Sequence, residues 1–194
     1  MSWRESLARA TAAAGTADAT PALVQFVELF ERWNQRINLS AARTPDEIAL
    51  HVVDSLALLP HLGDAASLID VGSGGGFPLI VLAACRPELQ IRGVEPIHKK
   101  TAFLSTAVRE LRLGNVDIVT RRVSAATDTG FDVAVSRATF ALEEWLAIGS
   151  GLVKPGGRVL GMEAREQIAL GPDDQRYPYA AGDRQRAVIV RRVH

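Results

Sequence analysis

The fold is decided by the stretch Asp70-Val71-Gly72-Ser73-Gly74-Gly75-Gly76-Phe77-Pro78. A short apolar run, Ser67-Leu68-Ile69-Asp70-Val71, leads into it, and residues 77–85, apolar throughout, lead away. A run too short for a helix, a cluster of glycines and then a longer apolar segment read as strand, tight turn and buried helix. Glycine is needed where backbone turns sharply or approaches a ligand closely. The joint between first strand and first helix is also where open α/β sheets bind ligands. The competing reading is a tight turn that binds nothing.

Outward from this loop the pattern repeats. Short apolar runs at 91–95, 116–119, 131–135 and 158–162 predict further strands, and residues 99–111 and 142–148 predict helices between them. Such alternation predicts right-handed βαβ units and a mostly parallel sheet covered on both faces. A last strand over 186–193 admits an antiparallel course. Before the loop the chain reads as helical. Thr20-Pro21 offers a helix start, followed by Leu23, Phe26, Val27, Phe30, Trp33 and Ile37 at helical spacing. Thr44-Pro45-Asp46-Glu47 is a capping box opening a second amphipathic helix with Ile48, Val52, Leu56 and Leu59. Residues 11–20, small and polar, predict a mobile joint. The expected organisation is one domain over 1–194, with a helical N-terminal extension over 1–62 and a Rossmann-like core over 67–194.

Composition bounds the function. The 194 residues, 47% hydrophobic and 23% charged, suffice for a core without a metal or disulfide staple. The single cysteine, Cys85, excludes an internal disulfide and reads as an inert packing residue. Basic and acidic residues balance at 22 each, so a polyanion site has to be a local patch. Only three of the 22 basic residues are lysine (Lys99, Lys100 and Lys154); the rest are arginine, the better reader of phosphates and bases. No apolar run of bilayer length and no secretion signal is apparent, which makes the cytoplasm the expected location.

Two cofactor classes use such a loop. Dinucleotide sites want G-x-G-x-x-G, but the third-glycine position here is Phe77, and the glycine falls one residue earlier, at Gly76. The G-x-G-x-G of Gly72, Gly74 and Gly76 resembles the S-adenosylmethionine loop of class I methyltransferases. That cofactor brings a small carboxylate for loop N–H groups and a cationic sulfonium, which a nearby carboxylate such as Asp70 stabilises. Glu95, about 20 residues on at the end of the second strand, is placed to accept from ribose hydroxyls in either class. A solvated strand-end carboxylate is the alternative. After the third strand, Val123 could cover an adenine face and Ser124 meet its edge, or the segment is a plain loop.

Further motifs join these: Trp33-Asn34, Ile37-Asn38-Leu39-Ser40, His51-Val52-Val53-Asp54-Ser55, Lys99-Lys100, Phe103-Leu104, Glu110-Leu111, Asn115-Val116 and Ser136-Arg137-Ala138. In this order, over about residues 23–160, the chain resembles the bacterial methyltransferases of guanine N7 in small-subunit (16S) ribosomal RNA, also called glucose-inhibited division protein B. The resemblance implies a Rossmann-like class I fold, S-adenosylmethionine as methyl donor and ribosomal RNA of the small subunit as substrate. No membrane association is expected for want of a bilayer-length apolar run, and no obligate protein partner is evident in the sequence. The resemblance carries the cofactor contacts onto Gly72, Phe77, Glu95, Val123, Ser124 and Arg137. The sequence departs from the family pattern in four places. Leu79 stands for a common glycine, Ser124 for a common glutamate, and Met162-Glu163-Ala164 for a segment with Lys-Gly; the tail after residue 165 is shortened. These bear on substrate grip more than on the cofactor.

Guanine N7 has a free lone pair and no proton to lose, so no general base is expected, and catalysis is mostly orientation. Arg137, after the fourth strand, is the expected pocket arginine, hydrogen-bonding guanine O6; a surface pair with Glu143 or Glu144 is its alternative. Arg121, Arg122, Lys99 and Lys100 would form a basic rim over RNA phosphates, although for the lysines a merely solvated helix face is an equal alternative. His51 and Asp54 share a helix face. They read first as a buried polar pair bracing the helices to the sheet, or else as a lid on cofactor or RNA. Trp33 reads as core. The rival functions are a small-molecule methyltransferase of the same fold, a non-catalytic cofactor- or RNA-binding relative and, more distantly, a nicotinamide oxidoreductase.

Overall fold

The computed structural model describes residues 2–137, 139–163, 168–181 and 184–194. In chain order the elements are α1 (Trp3–Ala13), α2 (Thr20–Ile37), α3 (Pro45–Leu56), β1 (Ser67–Val71), α4 (Leu79–Cys85), β2 (Gln90–Val94), α5 (His98–Glu110), β3 (Val116–Val119), β4 (Phe131–Ser136), α6 (Leu142–Ser150), β5 (Val153–Glu163), β6 (Asp174–Ala181) and β7 (Arg184–Arg192). Ala138 and Ala164, and the start of the tail at 165–167, lie outside the described residues.

Among the described residues one sheet runs in the order β3-β2-β1-β4-β5-β7-β6. β1 pairs in parallel with β2 on one side and β4 on the other. The chain order reverses there, which opens a crevice outside the carboxyl ends of these two strands. β7 returns antiparallel between β5 and β6. Side chains alternate across β1: Leu68 joins a core with α1–α5, whereas Ile69 joins a second core with Trp145 and Leu146 of α6. Both faces are thus buried, as a parallel sheet requires.

The helical segment is bolted to the sheet by aromatic rings. Phe26 and Phe30 of α2 lie 5.1 and 5.2 Å from the Phe77 ring, and Trp33 packs on Phe103 of α5 at 5.7 Å. Such pairs add about 1 kcal/mol each beyond burial. The Thr44–Glu47 capping box forms with both reciprocal bonds. Cys85 closes α4 half-buried, and burial pushes its thiol pKa up.

Two expectations change. Residues 11–20 are an ordered junction rather than a mobile joint. Thr11 is buried, its hydroxyl meets that of Thr20 at 2.6 Å, and the Thr16 N–H donates to the Thr11 carbonyl at 2.8 Å. Small residues there let the ends of α1 and α2 close on each other. Second, β6 was not legible as a strand. It holds Pro178, which an edge strand accepts because, among the described residues, no strand pairs with its outer side. No described helix is long and apolar enough to cross a membrane.

Candidate active site

The glycine loop lies at the carboxyl end of β1, beside the β1/β4 reversal. Gly72, Gly74 and Gly76 have φ of 74°, 54° and 85°, a region that favours glycine. A Cβ on Gly76 would stand 2.8 Å from Ile80, and one on Gly72 2.2 Å from the Thr139 hydroxyl. The loop spends much of its own hydrogen bonding. Gly72 N–H donates to the Val94 carbonyl at 2.8 Å, Gly76 N–H to the Ser73 carbonyl at 2.7 Å, and Gly74 N–H to the Glu95 carboxylate at 2.9 Å. Leu79, which replaces a common glycine, is fully buried. Its Cδ2 fills the space a Cβ on Gly93 would need, so a large residue on the helix matches a small one on β2.

Two carboxylates face this loop in different states. Glu95 is buried, with one oxygen accepting from Gly74 N–H and the other from Ile97 N–H at 2.9 Å. A carboxylate has about four acceptor sites, so roughly one lone pair per oxygen is left for a pair of hydroxyls. Asp70 is fully buried and neither oxygen has a hydrogen-bond donor among the described residues. Burial pushes its pKa up to about 7, assisted by the charge of Glu95; the Ser73 hydroxyl, the Arg137 charge and the Leu79 N–H nearby oppose the rise, but neither of the two polar groups is within hydrogen-bond geometry of the carboxylate. Buried unpaired carboxylates are costly, and a cationic group placed above this one would compensate it. A loop turned on glycines, a buried carboxyl group without a hydrogen-bond partner and a half-satisfied acid beside it fit a cationic nucleoside such as S-adenosylmethionine.

Arg137, just past β4, lies with its guanidinium carbon 5.3 Å from the Phe77 ring centroid. Its carboxylate partner is neither Glu143 nor Glu144 but Asp54 of α3, at 3.3 Å. The buried Asp54 is a hub: it also accepts from Arg186 of β7 at 2.6 Å and from the Tyr179 hydroxyl of β6 at 2.6 Å. Burial and Asp54 hold the Tyr179 hydroxyl well above its usual pKa. His51, one turn before Asp54, packs on Phe77 at 5.4 Å, and burial and the Arg137 charge push its pKa down to about 4. Asp54 therefore braces helix to sheet and also holds the expected pocket arginine. Tyr179 and Arg186 were missed because the tail gave no signal of returning to this site.

The remaining expected residues separate. Val123 joins the core beneath α6, half-buried. Ser124 N–H donates to Asp128 at 2.9 Å, and its hydroxyl accepts from Ala126 N–H at 3.3 Å, so both are engaged in their own turn. Arg121 makes a bidentate pair with buried Asp128 at 2.5 and 2.6 Å, while Arg122 and Lys99 are exposed and Lys100 half-buried. Ile97, unremarked in the sequence, is 42% exposed two residues beyond Glu95, an apolar surface at the rim of the crevice. Glu163 is buried and satisfied: despite burial, a bidentate pair with Arg176 at 2.7 and 2.9 Å and the Ile168 N–H keep its pKa low. Its negative charge in place of a positive one is thus absorbed within the β5–β7–β6 sheet.

Comparison with known proteins gives a consistent picture. A family model described as rRNA small subunit methyltransferase G matches residues 19–177. A ribosomal RNA small subunit methyltransferase G from Neisseria meningitidis serogroup B is 37% identical over 98% of this chain and 98% of its own. One from Burkholderia mallei is 41% identical over 80% of this chain and 73% of its own. Among solved structures, a methyltransferase from Geobacter sulfurreducens superposes with a TM-score of 0.60 at 13% identity, covering 88% of this chain and 89% of that one. This last likeness speaks to the class I methyltransferase fold alone.

Proposed function

The chain belongs to the rRNA small subunit methyltransferase G family, and from that premise we propose that it methylates N7 of a guanine in the 16S RNA of the small ribosomal subunit. S-adenosylmethionine supplies the methyl group. The observation that carries the choice of donor is Asp70: a buried carboxylate without a donor, under the loop, attracts a sulfonium or ammonium and repels a dinucleotide's pyrophosphate.

The chain's own residues then have separable tasks. Glu95 grips the ribose hydroxyls with the acceptor capacity the loop leaves free. Val123 and Ile97 offer apolar cover to a base. Phe77 and the aromatic wall behind it keep water from the loop. Arg137, fixed by Asp54 and lying over Phe77, hydrogen-bonds guanine O6 and turns N7 toward the methyl. No residue needs to take a proton before attack, because N7 attacks with its own lone pair. Arg122, Lys99 and Lys100 supply the phosphate-facing rim; Arg121 acts chiefly by holding the loop through Asp128. The substrate places the enzyme in the cytoplasm with the ribosomal subunits.

The test is transfer from methyl-labelled donor to small subunits from cells lacking this methylation, with protein-free small-subunit RNA and small-molecule acceptors alongside. Label in 16S RNA, at a guanine that becomes cleavable by reduction and aniline as N7-methylguanine does, is the expected result. Label only in small molecules, or in none of the acceptors, overturns the proposal.

A further inference from the structure

Among the described residues, His51 packs on Phe77 with polar atoms that the function above leaves unused, and the Arg137 charge acts on it. Its ring centroid stands 5.4 Å from that of Phe77, and the same Phe77 ring carries the Arg137 guanidinium at 5.3 Å. The imidazole is half-buried, and among the described residues no group hydrogen-bonds either ring nitrogen. A side chain held by packing, with a donor and an acceptor both unspent and a guanidinium beside it, is built to meet a polar planar ligand.

We propose that His51 is a second base-contacting residue, which accepts a hydrogen bond from N1–H of the target guanine while Arg137 donates to the adjacent O6. The assignment rests on the methyltransferase reading above. O6 and N1 are neighbours on the guanine ring, as Arg137 and His51 are neighbours around Phe77. The contact also has a catalytic sense. Positive charge spreads over the base as N7 takes the methyl, and N1–H becomes a stronger donor. A neutral acceptor there gains strength in the transition state, the only kind of interaction that accelerates the step. An imidazolium would do the reverse, adding a like charge and losing its lone pair. The surroundings keep it uncharged. Burial, Arg137 at the end of β4 and Arg186 of β7 all oppose protonation; Asp54 and Glu47 on its own helix favour it without prevailing; and the Tyr179 hydroxyl of β6 is engaged with Asp54. Adenine, whose N1 bears no proton, offers this acceptor nothing to accept.

The test compares H51F, H51N and H51Q with the native chain in single-turnover transfer to small subunits at saturating S-adenosylmethionine. H51F keeps a flat ring on Phe77 but no acceptor; the amides keep an acceptor oxygen near one or other ring nitrogen. The expected result is a rate about tenfold or more slower for H51F, with at least one amide variant within about threefold of native, and donor affinity unchanged in all. Equal slowing in all three variants, or an H51F rate within twofold of native, overturns the assignment while leaving the methyltransferase reading intact. Absence of transfer by the native chain overturns both.

Discussion

Replacing Asp54 by asparagine should damage stability and methyl transfer together. The carboxylate is buried and accepts from two guanidinium groups and a phenol, joining α3 to β4, β6 and β7 at one point. Asparagine keeps the volume and one acceptor oxygen but removes the charge, so Arg137 and Arg186, both mostly buried, confront each other uncompensated. Removing one partner from a buried ion pair costs about 3–5 kcal/mol. With one acceptor kept, the low end applies, ~3 kcal/mol. For a chain of this size that lowers Tm by roughly 6–12 °C, taking about 2–4 °C per kcal/mol. Urea denaturation of D54N against native protein, read by tryptophan fluorescence, gives the loss as a shifted midpoint at constant slope. Methyl transfer, assayed well below the melting range, should also fall, because Arg137 loses its anchor. A loss below about 1 kcal/mol, with native transfer rates, would refute the hub role of Asp54.

Asp70 has a folded pKa of about 7 against an ordinary 3.8, so the folded state holds the proton more tightly. Its contribution is fully present at pH below about 4 and is lost as pH rises to 7, on the order of 4 kcal/mol in all. The ligand-free D70N variant should show a flatter dependence of Tm on pH and a higher Tm at pH 8, and native affinity for S-adenosylmethionine should tighten between pH 6 and 8, measured by calorimetry. Gly76→Ala places a Cβ 2.8 Å from Ile80 and 3.2 Å from Leu104 and Phe26 at a φ of 85°; a stability loss of about 2–4 kcal/mol is expected by denaturant titration. Arg137→Lys keeps the charge but not the planar fork, and single-turnover transfer should slow by about tenfold or more while donor affinity changes little.

Much of the fold was legible because its signals are local. The change from helical spacing to short apolar runs at residue 67, the glycines after Val71 and the Thr44–Glu47 box each depend on residues a few positions apart, and β1 and β3 match their expected limits. The β6 strand was hidden because an edge strand can hold Pro178 and alternate polar residues without a buried face to mark it. The site divided along the same line. Gly72, Gly76 and Glu95 announce themselves by spacing. The partner of Arg137 does not, since Asp54 lies 83 residues earlier and Tyr179 and Arg186 come together with it only when the sheet forms. Likewise Glu163 looked like a charge facing substrate until Arg176, two strands across, took it up.

The proposed cofactor is best tested by titration calorimetry of S-adenosylmethionine, and separately of NAD, into the native chain and into E95Q. Saturable binding of S-adenosylmethionine to native protein, weakened about tenfold or more in E95Q, with no heat from NAD, is the outcome expected from Asp70 and Glu95 as they stand. Tight binding of NAD with none of S-adenosylmethionine would contradict it.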